Sequence, residues 1–299
     1  MSESDHLELT PGWIRAQSHA DQTFTLDANK ANTSLFFQHI PAGTFWMGSR
    51  GYNSWEEPVH QVTISQPFLL GTFPVTQSQW RAVVQLGQQA GLPEARKLKL
   101  APSLFSGALR PVEQVLWHEC VSWLRVLNQL RLCGDLVFRL PTESEWEYAC
   151  RLSRNRSGDV VSLRTEYHAG DGTAALDQCG WYSANSNNET HAVGLKQPTR
   201  FGLYDLHGNV WEWCSDVWTS NYRDRVGGVT DPGPAEAVAL LESAQHSPDA
   251  PRVIRGGSWG NPSGGCRAAI RINRSPDYRF GFRGFRVCAC SGPRAVQHR

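Results

Sequence analysis

Two acidic residues in the segment YDLHGNVWEW have the chemistry to bind a metal ion. Asp205 and Glu212 lie on either side of a glycine within this segment. Hard oxygen ligands on a tight, glycine-containing loop suit Ca²⁺, and a bound ion would neutralise both carboxylates. The other interpretation is a capped turn packed by Trp211 and Trp213. The residues alone leave both interpretations open, a bound cation or a packed turn.

Cys266 is the cysteine whose neighbour favours reactivity, because the adjacent Arg267 would lower the pKa of its thiol. No base lies close to it in the local sequence, and an activated thiol needs such a partner. The eight cysteines of the chain contain no CxxC pair, so they do not resemble a disulfide framework. We expect reduced and mostly buried thiols, with Cys266 as a structural cysteine.

A third stretch, RGGSWGNPSGGCRAAIRINRSPDYRFGFRGFRV at residues 255–287, combines two kinds of position. Its Gly, Trp, Arg and Pro residues resemble a fixed frame. The positions between them hold Gly, Ser, Ile, Tyr and Phe without a helical or strand period. Such filler has no evident role in secondary structure, which raises the question of its function.

The elements that must position these segments are short. FFQHIPAGTFWMGS predicts two strands joined by a Pro-Ala-Gly turn, and HQVTISQPFLLGTFPVT continues with apolar residues at alternating positions. VEQVLWHECVSWLRVLNQL has the 3.6-residue period of an amphipathic helix. A second helix is predicted after Thr142, because Glu145 follows at the spacing of a capping box. The pattern indicates helices laid against a sheet.

After Arg151 the helical and strand periodicity of the apolar residues becomes weak for more than a hundred residues. A long irregular region in a compact domain needs a bound ion or stacked aromatic residues to order it. The 12 tryptophans, 27 glycines and 17 prolines of the chain fit irregular backbone held by aromatic anchors. Within this region, residues 227–251 have the composition of a mobile insertion.

Seven motifs together resemble one known family. PAGTFWMGS, EEPVHQVTI, PVTQSQW, FRLPTESEWEYAC, GLYDLHGNVWEW, RGGSW and GFRV occur in the order seen in the formylglycine-generating enzyme, or sulfatase-modifying factor, domain. The resemblance implies an α+β fold of the C-type-lectin-like type with little regular secondary structure. It covers residues 35–290, which leaves residues 1–34 as an N-terminal extension and residues 291–299 as a tail.

The resemblance also implies ligands for the calcium ion. At the positions that match the family, the side chain of Asp205, the backbone carbonyls of Gly208 and Val210, and the carboxylate of Glu212 would bind it. A second family ion site near Asn185 has no clear counterpart for its later ligands.

The family's catalytic chemistry transfers badly to this sequence. The formylglycine-generating enzyme holds copper between two cysteines, and here Asn261 stands at the position of the first. Cys266 has the spacing of the second, but CRAAIR aligns equally well with a later, non-catalytic cysteine of the family. One thiolate is a poor Cu(I) site, so we expect no copper and no catalytic residue.

Another branch of the family uses a histidine-rich iron site, which this sequence does not match. Its ten histidines are scattered and lack the HxxxHxE spacing. His60, His118 and His207 lie inside the structural motifs of the family. We expect packed or hydrogen-bonded imidazoles at these positions.

The stretch at 255–287 is most similar to a third branch, the variable proteins of diversity-generating retroelements. In those proteins the frame is constant and adenines in the codons between are randomised, which never yields Lys, Gln, Glu, Met or Trp. Residues 260–283 contain none of these five. The resemblance implies a ligand-binding surface with these variable positions: Gly260, Asn261, Ser263, Gly264, Gly265, Ile270, Ile272, Ser275, Tyr278, Phe280, Gly281 and Phe282. Arg267, Arg271 and Arg279 would belong to the frame.

The charge composition argues against nucleic acid and anionic membranes as partners. With 29 basic and 28 acidic residues the net charge is +1, so no global field attracts nucleic acid or an anionic membrane. The start MSESDHLELTPGW lacks the features of a signal peptide, which predicts a soluble cytoplasmic protein. The sequence thus predicts a non-catalytic receptor for an unknown protein or other macromolecule. The alternatives are an oxidoreductase acting on a protein cysteine, and a non-catalytic scaffold.

Overall fold

The structure is a computed structural model, and it describes residues 22–25, 32–132, 136–225, 229–230 and 249–291. Most of the predicted extension at 1–34, the predicted insertion at 227–251 and the tail at 291–299 therefore lie outside the described residues.

The described elements are short and alternate irregularly between strand and helix. The strands are β1 (Gln22–Thr25), β2 (Ser34–Ile40), β3 (Gly43–Met47), β4 (His60–Ile64), β5 (Phe68–Gly71), β6 (Leu136–Arg139), β7 (Leu152–Arg154), β8 (Val160–Ser162), β9 (Gly180–Trp181), β10 (His207–Gly208), β11 (Trp211–Val217), β12 (Val229–Thr230), β13 (Arg252–Arg255), β14 (Arg271–Arg274), β15 (Arg283–Gly284) and β16 (Cys288–Ser291). The helices are α1 (Gln77–Gln89), α2 (Pro93–Lys97), α3 (Trp117–Gln129), α4 (Glu143–Arg151) and α5 (Thr173–Cys179).

Three larger sheets organise the chain. A five-stranded sheet has the order β1-β2-β5-β16-β6, so the last strand lies in its interior. A four-stranded sheet has the order β14-β13-β11-β15, and a three-stranded sheet the order β12-β4-β3. Because β1 pairs antiparallel with β2, the first sheet already begins within the predicted extension. The mixed α+β architecture agrees with the fold class predicted from the sequence.

The predicted strands of the N-terminal part are present, but they belong to different sheets. β2 pairs with β5, whereas β3 pairs with β4. Along β4 buried and exposed residues alternate, as expected for a strand with one face on the core. The Pro-Ala-Gly turn therefore connects two sheets instead of closing a hairpin.

Helices α1 and α3 pack together through aromatic side chains. Trp80 and Trp123 stack with ring centroids 6.1 Å apart, and Phe285 meets both rings edge-on. The helix predicted from Val112 onward begins later, at Trp117, because the backbone N–H of Gln114 bonds instead to the carbonyl of Phe280. Helix α1 was not predicted, although Thr76 and Gln79 form a capping box at its start.

Helix α4 lies at the centre of the molecule, and all nine of its residues are buried. It begins after Thr142 with the capping box predicted from the sequence. The carboxylates of Glu143, Glu145 and Glu147 all accept hydrogen bonds from buried arginines. A buried carboxylate is stable only when it is paired. The arginines of β6, β13 and β14 therefore fix the position of this helix against the sheets.

The region after Arg151 contains only short elements. Some of its order comes from stacking: the rings of Trp181 and His191 are 3.8 Å apart, and the Lys196 ammonium lies 4.1 Å from the Trp181 ring centroid. Among the helices that the structure describes, none has the length and apolar character needed to cross a bilayer.

Candidate ligand-binding face and metal positions

Three aromatic side chains form a cluster in the loop between β14 and β15. Tyr278 is 50% exposed and Phe280 is 42% exposed, while Phe282 is half-buried. The ring centroids of Tyr278 and Phe280 are 5.7 Å apart, and those of Phe280 and Phe282 are 4.4 Å apart. We call these three residues the aromatic face. Their predicted exposure is confirmed for Tyr278 and Phe280 and only partly for Phe282.

A buried cation lies under the aromatic face. The Arg283 guanidinium is 4.8 Å from the Tyr278 ring centroid and less than 6 Å from the other two. It donates a hydrogen bond of 2.7 Å to the carbonyl of Tyr278. Burial lowers the pKa of Arg283 to about 10. Arg283 was not predicted as part of this face, because nothing in the sequence shows that three rings converge on it.

A loop distant in sequence borders the same face. Leu104 is 60% exposed, and a side-chain carbon added at Gly281 would come within 3.1 Å of it. The Phe105 and Trp259 rings meet edge-on at 5.5 Å. Below this loop, Glu113 accepts hydrogen bonds from the backbone N–H groups of Leu104 and Phe105, and burial raises its pKa to about 7. The surface around the aromatic face therefore includes residues outside the variable stretch.

The other predicted variable positions differ in accessibility. Gly260, Gly264 and Ser275 are exposed, whereas Asn261, Ser263, Gly265 and Ile272 are half-buried. At Gly260 and Gly264 an added side-chain carbon would have no atom within 4 Å, so both positions accept larger residues without steric conflict. These two glycines fit the expectation that the fold does not depend on the residue at a variable position.

Two predicted surface positions are buried, and the prediction was wrong for them. Ile270 is only 6% exposed and belongs to the main hydrophobic core. Gly281 is also buried. Its carbonyl accepts a hydrogen bond of 2.9 Å from the indole N–H of Trp259, so the Gly281 backbone supports that ring. Both residues stabilise the fold under the face.

Asn261 has a structural role beside Trp259. Its side-chain oxygen accepts hydrogen bonds from the indole N–H of Trp211, at 2.8 Å, and from the hydroxyl of Ser258, at 2.7 Å. Its carbonyl also accepts from the Ser183 N–H. These bonds hold Trp259 and Gly260 next to the aromatic face, so Asn261 acts as a support rather than a freely variable contact.

The arginines assigned to the frame connect distant parts of the chain. Arg267 binds both carboxylate oxygens of Glu56, at 2.9 and 2.8 Å, and Arg279 binds both of Glu119, at 2.7 and 2.6 Å. Arg271 binds Glu143 of α4 in the same bidentate way. Such pairs fix orientation as well as distance. The chain is therefore fixed at Arg271, just before the loop that carries the aromatic face, and at Arg279, within that loop.

Cys266 lacks the surroundings of a nucleophile. Its side chain is fully buried, and burial raises the pKa of its thiol to about 12. Its sulfur lies 3.9 Å from the Ser258 carbonyl. At neutral pH the thiol stays protonated, and the thiolate is the reactive form. Seven cysteines of the described part are buried and unpaired, as predicted; Cys133 lies outside the described residues.

The predicted calcium ligands are close in sequence but differ in their partners. Asp205 is buried, accepts hydrogen bonds from Gly194 N–H and Asn209, and has a pKa raised to about 6 by burial. Glu212 binds the Arg286 guanidinium through both carboxylate oxygens, at 2.8 and 3.0 Å.

The four residues therefore fit a cation only in part. Asp205 makes no ion pair, so a bound cation would be its only directly paired charge among the described residues. Glu212 is already neutralised by Arg286. Gly208 has a φ of +83°, and its backbone approaches Trp181 so closely that a side-chain carbon would lie 2.0 Å from the Trp181 carbonyl oxygen. Val210 is fully buried.

A separate group of ligand-type side chains was not predicted from the sequence. His168, Cys179 and His207 place their ligand atoms within 4.8 Å of one another. Burial lowers the pKa of His168 to about 4 and raises that of Cys179 to about 12. His207 is packed and hydrogen-bonded, as expected. The three residues are far apart in sequence and have no recognisable spacing.

The match to a family model extends over nearly the whole described chain. The model described as "Sulfatase-modifying factor enzyme 1-like domain" matches residues 25–290. The formylglycine-generating enzyme of Thermomonospora curvata is 27% identical, over 84% of this chain and 92% of that protein. That of Streptomyces coelicolor is 29% identical, over 84% of this chain and 87% of that protein.

Solved structures share the fold. Treponema denticola variable protein 1 superposes with a TM-score of 0.68 at 26% identity, covering 92% of this chain and all of that chain. PvdO from Pseudomonas aeruginosa superposes with a TM-score of 0.62 at 23% identity, covering 91% and 99%. The second likeness shows the fold alone. The first adds a variable protein to the proteins that this chain is similar to.

Proposed function

The chain belongs to the sulfatase-modifying factor enzyme 1-like domain family, and from this premise we propose that it is a non-catalytic receptor. Its ligand would be a protein or another macromolecule bound at the aromatic face. The variable residues around that face would be diversified by a retroelement. The likeness to Treponema denticola variable protein 1 supports this function over catalysis.

The observation that carries the proposal is the exposed aromatic cluster on a rigid base. Tyr278 and Phe280 expose about half of their side chains, although each could bury a large apolar area. The loop that holds them is fixed by Arg279 to Glu119 and by Arg283 to the Tyr278 carbonyl. Rigid aromatic residues give a large contact area at a low entropy loss, which is common in binding loops.

The pattern of tolerance around the face supports diversification. The exposed Gly260 and Gly264 have open space for side chains, whereas Gly257 would place a side-chain carbon 2.4 Å from the Gly265 carbonyl oxygen. Gly257 lies in the frame, and the two open glycines lie in the filler. Steric freedom and predicted variability therefore coincide at these positions, as a diversified surface requires.

Sequencing the genomic neighbourhood of the gene tests the proposed origin of the variability. We expect a near-identical copy of the DNA that encodes residues 260–283, differing from the gene only where the copy carries adenine. The differences should fall at the codons of exposed residues such as Tyr278, Phe280, Gly260 and Gly264, because these positions do not support the fold. A copy whose mismatches involve all four bases equally, or the lack of any copy, would contradict diversification by a retroelement.

An enzyme of the formylglycine-generating type is the second candidate, and the site gives it little support. Asn261 occupies the position of the first copper-binding cysteine, and its side chain is engaged with Trp211 and Ser258. Cys266 is buried as a thiol whose pKa is raised to about 12. Tight Cu(I) binding favours two soft thiolate ligands in reach of one another. The residues present at this position therefore do not fit the copper chemistry, and no oxidation step is assigned to them.

We further propose a structural calcium ion at Asp205, with backbone carbonyls of Gly208 and Val210 as further ligands. The buried carboxylate of Asp205, which makes no ion pair, supports it. A bound ion would order the irregular segment between β9 and β11. Because the Glu212 carboxylate is already paired with Arg286, the contribution of Glu212 would be smaller than the sequence suggests.

Replacing Asp205 by asparagine should remove the stabilisation by calcium. With calcium at about 100 times its dissociation constant, the wild-type protein should gain about 2.7 kcal/mol over the chelated form. Asp205→Asn should melt at the same temperature with and without calcium. Thermal melts in calcium and in chelator measure this difference, with the exposed Asp224→Asn as the matched control that keeps the gain. No gain in the wild type would mean that the segment is only a packed turn, and an equal gain in both variants would mean that calcium binds elsewhere.

A further inference from the structure

We propose that His168, Cys179 and His207 form a zinc site, with Cys150 as the fourth ligand. The four ligands come from four places in the fold: the end of α4, the loop that follows β8, the end of α5, and β10. Its donors are imidazole nitrogens and thiol sulfurs, unlike the oxygens around Asp205. It is thus a different site from the proposed calcium position.

The ligand atoms of three of the four residues lie close together. Those of His168, Cys179 and His207 lie within 4.8 Å of one another. The Cys150 sulfur is 3.6 Å from Nε2 of His207, so Cys150 would complete the site from the side of His207. A zinc ion at the centre would lie about 2.0–2.3 Å from each nitrogen and sulfur, which requires donor atoms about 3–4 Å apart. Binding would therefore draw the ligand atoms closer together.

His207 is held in the orientation that a ligand needs. Its Nδ1–H donates a hydrogen bond of 2.7 Å to the carbonyl of Cys266, which leaves the lone pair of the ring on Nε2. Nε2 accepts the backbone N–H of His168 at 3.1 Å, and a metal ion at Nε2 would replace this hydrogen bond. A metal-binding histidine typically donates its second ring N–H to a carbonyl in this way, which fixes its tautomer. The carbonyl of Cys266 therefore aims His207 toward the cluster.

Of the four proposed ligands, His168 has the side chain with the least evident structural role. Among the described residues, no group lies in hydrogen-bonding geometry to Nδ1 or Nε2 of its ring, although both atoms are buried. The backbone of Gln197 and Pro198 lies close enough to influence the pKa of the ring without meeting that geometry. A buried polar atom without a hydrogen-bond partner destabilises the fold relative to a paired one. A metal ion at one nitrogen would remove part of this penalty.

The donor set selects the metal. Two imidazoles and two thiolates match the Cys₂His₂ set of structural zinc sites and offer no oxygen ligand for Ca²⁺ or Mg²⁺. The thiols would lose their protons when the ion binds, and the zinc ion would supply the charge that stabilises the buried thiolates. Because Cys150 belongs to α4 and Cys179 to α5, one ion would connect the central helix to the irregular region.

Zinc titration of the full chain, first stripped of metal by chelator, tests the proposal. A competing chromophoric chelator reports affinity and stoichiometry, and cobalt(II) in place of zinc reports the ligands through thiolate charge-transfer absorption. We expect one ion per chain, tetrahedral cobalt bands, and a higher melting temperature with zinc. His168→Gln and Cys179→Ala should each weaken zinc binding by about 100-fold.

His168→Gln is the decisive variant because the His168 ring makes no well-formed hydrogen bond that its loss would break. It should fold and melt like the metal-free wild type. The matched controls are His118→Gln, at a partly exposed histidine beside Asp277, and Cys290→Ala, on β16. Both should keep full zinc affinity. Absence of zinc binding to the wild type, unchanged affinity in His168→Gln, or cobalt spectra without thiolate bands would each overturn the proposal.

Discussion

Peptides selected for binding to this protein are expected to lose about 100-fold or more in affinity when Tyr278 and Phe280 are both replaced by alanine. The peptides would be selected from a random displayed library on the folded wild-type protein. The two side chains are the large exposed apolar residues of the aromatic face, at 50% and 42% exposure. Since a few aromatic anchors usually carry most of the binding energy, their joint loss should dominate.

The double variant should keep its fold. Phe282 is retained because it packs against the main core and lies 6.3 Å from the Trp259 ring. The removed rings contact one another, the retained Phe282 and Arg283. Circular dichroism and thermal melting should therefore match the wild type closely.

A matched control is available at a distant exposed aromatic residue. Trp46 on β3 is 48% exposed, similar to Tyr278, but lies on another sheet. Trp46→Ala should leave peptide affinity unchanged. If selected peptides instead depend on Trp46 and still bind the Tyr278→Ala/Phe280→Ala protein, the aromatic face is not the binding surface.

Arg271→Ala is expected to lower the free energy of unfolding by about 3–5 kcal/mol, because it removes the bidentate guanidinium partner of a buried carboxylate. Arg271 and Glu143 are both fully buried, and the guanidinium binds the carboxylate at 2.5 and 2.9 Å. Arg271 also donates to the carbonyls of Trp55 and Thr219. Loss of Arg271 would therefore remove the donor of several hydrogen-bond acceptors at once. Urea unfolding followed by tryptophan fluorescence measures the change.

Two companion variants separate charge pairing from lost volume. Arg271→Met combined with Glu143→Gln removes both charges and keeps most of the packing, so it should be less destabilised than Arg271→Ala. Arg279→Ala breaks a pair whose arginine is 33% exposed, so water can replace its contacts and the loss should be smaller. A destabilisation by Arg279→Ala as large as that by Arg271→Ala would show that burial does not set the size of the effect.

Local patterns in the sequence were sufficient for the fold class and several element starts. The alternation in β4 and the capping box of α4 depend on neighbours a few residues apart, so the sequence displays them directly. The ordered motifs were sufficient for the family, whose model matches residues 25–290. The exposure of Tyr278 and Phe280 also followed, because both stand between frame positions.

Only the tertiary structure decided which of the remaining residues are buried and which distant residues they pair with. Ile270 and Gly281 lie in the variable stretch, yet the core and the Trp259 indole enclose them. Glu212 pairs with Arg286, which is 74 residues away in the chain. His168, Cys179 and His207 are brought together by tertiary contacts, among them the pairing of β10 with β9, the strand that directly follows α5. Burial and charge pairing depend on contacts between distant segments, and a single sequence records spacing along the chain but not which segments touch.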